Sequence, residues 1–71
     1  MVNIQKLKGR LREKDRTQAE LARYLGISSA TVNQKLNGAR PISLDEADKI
    51  ASFLDIGEMD FRAYFFAPPS A

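Results

Sequence analysis

The chain contains no cysteine and no histidine among its 71 residues. Without cysteine, neither a disulfide framework nor a thiolate metal site can staple the fold. Without histidine, the commonest general base and metal ligand is missing as well. No serine has an obvious base beside it, so nucleophilic and metal-assisted chemistries lack their parts. The expectation is a protein that is not an enzyme and that uses no cofactor, no metal and no small-molecule ligand. Long apolar runs are missing too: none approaches the ~18 residues of a membrane span, and no signal-peptide pattern is present. With the lack of cysteine, this fits a reducing cytoplasm. The length allows one small domain, near the limit at which a single core suffices.

Charge of one sign is scarce in each half. Residues 1–40 hold nine Lys/Arg against only Glu13, Asp15 and Glu20, a net of +6. Residues 41–71 hold Lys49 and Arg62 against six acids, a net of −4, so the overall +2 conceals a strong asymmetry. A basic half suits a polyanion, although an ordinary solvated surface also accounts for it.

What is present is organised around Thr17 to Gly38. Thr17 and Glu20 have the spacing of a capping box, and Ala19, Leu21, Ala22 and Leu25 follow as an apolar stripe. Gly26 stands where a helix end needs a left-handed residue, with Ile27 as the apolar contact after it. Ser28 caps a second helix that buries Val32 and Leu36 and ends at Asn37-Gly38. Two capped helices joined at one glycine make a helix-turn-helix over residues 17–37.

The flanks read as its support. Asn3 caps a first helix that buries Ile4, Leu7 and Leu11, with Val2 placed to staple against Leu7. Gly9 inside that helix costs about 1 kcal/mol relative to alanine; close approach of another helix would explain it, as would chance. Ser43 and Glu46 form a second capping box, opening a fourth helix that buries Leu44, Ala47, Ile50, Ala51 and Leu54 and stops near Ile56-Gly57. Its first-turn acids suit a helix N-terminus and need no catalytic role. Glu58 to Phe66 reads as a fifth helix carrying Phe61, Tyr64, Phe65 and Phe66. Phe61 and Phe65 share a face toward the core, and the surplus of aromatics points either to a homodimer or partner contact or to packing within the chain. Residues 1–66 thus form one all-α bundle of about five short helices, and residues 67–71 a flexible tail.

With Val32 and Leu36 inward, Ala30, Asn33, Gln34 and Asn37 face outward, flanked by Ser29 and Thr31. Such a helix can enter the DNA major groove, where Asn and Gln match adenine and Ala or the Thr methyl suits thymine. Small polar residues are also what any solvated helix face carries. Gln18 at a helix start, together with Lys35, Asn37 and Arg40, would position phosphates. Asn37 also fits as a simple helix-ending residue. Arg10, Arg12, Lys14, Arg16 and Arg23 are further basic candidates, although such residues are more often simply solvated charges.

The run Thr17-Gln18-Ala19-Glu20-Leu21-Ala22, with Gly26-Ile27-Ser28, Val32, Leu36-Asn37-Gly38 and the Leu54-Asp55-Ile56 ending, resembles the helix-turn-helix domain of the Cro/C1-type (XRE) family over residues 3–57. That resemblance implies a lambda-repressor-like bundle, and a regulator of transcription that binds double-stranded operator DNA, often as a dimer, in the cytoplasm of a bacterium or a phage-infected cell. It places Gln18 and Asn37 at phosphates and Ser28, Ser29, Ala30, Asn33 and Gln34 at bases. Ala30 offers no hydrogen bond, and no sensor or cleavage domain stands within these residues. The chain resembles a free-standing Cro-like or modulator protein more than a full two-domain repressor, and the first reading is a Cro-like repressor. The alternative is a phage anti-repressor that docks the same fold on a partner repressor.

Overall fold

Each helix begins where the chain supplies an acceptor for its unpaired first-turn N–H groups. In the computed structural model, which describes residues 2–67, the order is α1 (Ile4–Glu13), α2 (Gln18–Leu25), α3 (Ser29–Leu36), α4 (Leu44–Phe53) and α5 (Glu58–Phe65). Asn3 Oδ1 accepts from Lys6 N at 3.0 Å. Both capping boxes form: Thr17 and Glu20 exchange bonds of 2.9 and 3.1 Å, and so do Ser43 and Glu46. No strand occurs among the described residues, as an all-α bundle requires. The tail expected to be flexible lies, from residue 68 on, outside them.

The helix ends share one device. Asp15, Gly26, Gly38 and Asp55 have φ of 55°, 74°, 77° and 53°, one after each of α1 to α4. The residue following each donates back to the carbonyl five positions earlier: Arg16 to Leu11, Ile27 to Ala22, Ala39 to Gln34 and Ile56 to Ala51. This is the Schellman closure, with two positions taken by Asp, which tolerates the left-handed region better than most residues. α4 therefore closes through its C-cap Leu54 and the left-handed Asp55, and Gly57, expected near that end, is the N-cap of α5 at φ −71°. Asp55 is held there from α1: Lys14 Nζ reaches its Oδ2 at 2.9 Å, and the Arg10 guanidinium donates to the carbonyls of Leu54 and Asp55. Cations at a helix C-terminus are favourably placed.

The core gathers Leu7, Leu11, Leu21, Ala22, Val32, Leu36, Ala47, Ile50, Ala51, Leu54, Tyr64 and Phe65, and no charged or polar residue is buried among the described residues. α2 packs mainly on α3 and α4, while α1 braces α3 and α5. Two expectations are corrected. Leu44 is 64 % exposed, because the first residue of α4 overshoots the core that its successors fill. Tyr64, one of the surplus aromatics offered for a partner contact, packs within the chain as a core residue, and so does Phe65, whose face toward the core was expected beside that partner role. The backbone N–H of Asn3 bonds the Tyr64 carbonyl at 2.8 Å, fixing α5 with these two rings turned inward. Of the two explanations left open for Gly9, close approach of another helix does not apply: a Cβ at that position would meet nothing within 4 Å. Gly9→Ala should therefore raise stability by about 0.5–1 kcal/mol, by helix propensity and by restricting the unfolded chain. A denaturant midpoint that fails to rise would contradict this.

Candidate nucleic-acid interface

α3 starts at a side-chain cap and ends at a left-handed glycine. Ser28 Oγ accepts from Thr31 N at 3.1 Å and lies 2.9 Å from Thr31 Oγ1, so both hydroxyls serve the cap. Val32 and Leu36 anchor the helix in the core at 1 % and 2 % exposure. Ser29, Ala30, Asn33, Gln34 and Asn37 are all exposed, and no acid lies on α3. The five thus share an outer surface, as the helical spacing requires.

Around that surface the structure builds a polar array. Lys8 Nζ donates to Asn37 Oδ1 at 2.9 Å, Asn37 Nδ2 to Asn33 Oδ1 at 3.0 Å, and Asn33 Nδ2 to Gln18 Oε1 at 3.2 Å. Three helices thus meet through side chains at one place. Gln18 opens α2 directly after its N-cap, beside N–H groups that lack intrahelical partners and attract anions. Arg40, in the loop after Gly38, sets Nη1 3.5 Å from Gln34 Oε1 and is otherwise exposed.

Lys35 does not join them. It was expected among the phosphate-binding groups, but its side chain is only 13 % exposed and its Nζ donates to the Pro41 carbonyl at 2.8 Å and to Glu46 Oε1 at 3.0 Å. Position 35 borders the buried stripe, and the acceptors that face it belong to the loop and to α4. Several other cations are engaged as well. Arg10 and Lys14 hold the end of α4, while Arg16 pairs with Glu20 at 3.6 Å and lies over the Phe53 ring at 5.1 Å. Arg12 and Arg23 are exposed and make no side-chain hydrogen bond or ion pair among the described residues. Lys8 is the residue that sequence reasoning missed. It sits 29 positions from Asn37, and although it borders the buried stripe of α1 more closely than Lys6, nothing local points to its partner.

The acids near the site are structural. Burial pushes the Glu46 carboxyl up, but the Ser43 N–H and the Lys35 ammonium together bring it below its ordinary value. The Thr17 N–H lowers Glu20, and Lys14 lowers Asp55. A carboxylate lowered on folding contributes stability that is complete above its unfolded pKa and is lost as pH falls through the folded one. The domain should therefore lose stability progressively below about pH 4.5. Glu46→Gln keeps a capping oxygen but loses the ion pair. Its melting temperature should lie below wild type at pH 7, and the gap should narrow at pH 3; a gap independent of pH would rule the ion pair out as the cause.

No group of acids that would hold a metal occurs among the described residues, and none of their helices is long and apolar enough to cross a membrane. A capped pair of helices with one exposed amide-bearing face is the architecture of a DNA-binding regulator. A protein-family model described as Helix-turn-helix matches residues 7–61, so the chain belongs to the Cro/C1-type (XRE) helix-turn-helix family of DNA-binding regulators. Comparison of the chain with curated protein sequences returns no match.

Proposed function

We propose that the protein is a sequence-specific transcriptional regulator of the Cro-like repressor type, which lays α3 in the major groove of an operator. The observation that carries this reading is the exposed Ser29-Ala30-Asn33-Gln34 surface, free of acids and bordered by Gln18, Asn37, Lys8 and Arg40. Asn33 and Gln34 bring donor and acceptor together for base edges, and Ala30 offers a methyl to thymine. Gln18, Asn37 and Arg40 would hold the flanking phosphates. Lys35 supports that frame from inside, and the hydroxyls of Ser28 and Thr31 serve the cap.

Pairing of two copies on a pseudo-palindromic site would use Phe66 and Leu44. These are 56 % and 64 % exposed and border an apolar groove with Val2 and Ile42. Half-sites would then lie about 34–36 Å apart. That groove also favours the second reading, a modulator that docks on a partner repressor.

Selection from a random duplex pool, at low and at near-physiological salt, separates the two. An enriched motif with two-fold symmetry supports the operator reading. Weak binding erased by salt, with no motif, would transfer support to the modulator.

A further inference from the structure

Three hydrogen bonds beside α3 run in one direction, from Lys8 through Asn37 and Asn33 to Gln18. A primary amide both donates and accepts, so three amides alone could be threaded either way, each turned by half a rotation. An ammonium has three donors and no acceptor. With Lys8 at its head, the chain has only one polarity. Asn37 must turn Oδ1 toward Lys8, which leaves its Nδ2 for Asn33. Asn33 must then offer Oδ1 to Asn37 and Nδ2 to Gln18. Gln18 receives that bond on Oε1, and its Nε2 donates to no other group among the described residues.

The direction matters because of where the chain ends. Gln18 stands in the first turn of α2, whose unpaired N–H groups form a positive end. A donor added there strengthens the attraction for a phosphate, whereas a reversed Gln18 would place its carbonyl oxygen against the anion. The same direction leaves Asn33 with one N–H and one lone pair for a base.

We propose that Lys8 is a positioning residue that sets the amide polarity of the DNA-facing surface, acting on Gln18 through Asn37 and Asn33. The inference rests on the reading of that surface as the DNA interface. It assigns Lys8 a role different from that of a further cation against the backbone: its effect travels along the amides and depends on Asn33.

Two measurements test it. In the free protein, side-chain amide spectra of Lys8→Met should show displaced Gln18 NH2 resonances, three hydrogen bonds from the substitution, and Lys8→Arg should restore them. A Gln18 amide that does not move in Lys8→Met overturns the relay, whether or not DNA is bound. On the duplex recovered by selection, Lys8→Met should weaken binding about tenfold in the wild-type background. In an Asn33→Ala background, where the relay is already cut, the loss should be about twofold or less. Equal losses in both backgrounds would make Lys8 a plain phosphate contact and reject the relay. A wild-type chain that binds no duplex would remove the DNA reading, while the amide spectra would still decide the relay.

Discussion

Phe65→Ala should destabilise the domain by about 3–5 kcal/mol, enough to leave a chain of this size largely unfolded. Phe65 is 3 % exposed and lies 4.7 Å, ring centroid to centroid, from half-buried Phe61. Removing its ring takes away a large apolar surface and leaves a space that a bundle of five short helices cannot fully collapse. The loss should not depend on protein concentration, because the ring is buried within one chain. Phe66→Ser, one residue further on, should behave differently. Phe66 is mostly exposed, so this variant should keep its fold and lose only whatever self-association the wild type shows in sedimentation. Thermal melts at two concentrations, with sedimentation of both variants, distinguish the roles. A folded Phe65→Ala with reduced mass would mean that the ring serves an interface after all.

Gln34→Ala should cost about 1–3 kcal/mol in binding to the selected duplex and relax the preference at one base position. Gln34 is exposed, and its only side-chain bond among the described residues is the 3.5 Å contact from Arg40, so its amide remains available to a base edge. Its removal should leave the salt dependence nearly unchanged, since no phosphate contact is lost. Lys35→Ala provides the contrast. As a phosphate contact it would lower the salt slope by about one. Its ammonium instead bridges Pro41 and Glu46 within the protein, so the slope should stay constant while stability falls by about 1–3 kcal/mol. Titrations at several salt concentrations, beside denaturant melts, read both quantities. Loss of affinity by Gln34→Ala that is equal for all sequences would count against direct base readout by this residue.

The helix pair shows how far local chemistry carries. Thr17 with Glu20, Gly26 and Ser28 are recognisable without coordinates, because a cap or a left-handed turn is decided within four or five residues of chain. The same holds for the outward set on α3, which follows from the burial of Val32 and Leu36. Where the chain uses Asp15 and Asp55 in place of glycine, the local signal is weaker, and Gly57 misleads about the end of α4. The aromatic end of the chain shows the opposite limit. Periodicity identifies an apolar face on α5, but several rings compete for it. Phe65 is legible from its spacing to Phe61, but the burial of Tyr64 is not; it goes with the bond from Asn3 to the Tyr64 carbonyl, 61 positions away.

The sequence by itself determined the five helices, the side-chain caps of α1 to α4, the family and the exposed face of α3, because each depends on residue spacing along one or two elements. Only the tertiary structure decided which cations are available to a polyanion. Lys35, Lys14 and Arg10 resemble the other basic residues in sequence, yet each finds an acceptor on a different element. Lys8 finds Asn37 in the same way and so enters the candidate interface. An ammonium on a flexible stem goes to the acceptor within its reach, and which acceptors lie within reach is a property of the packed helices.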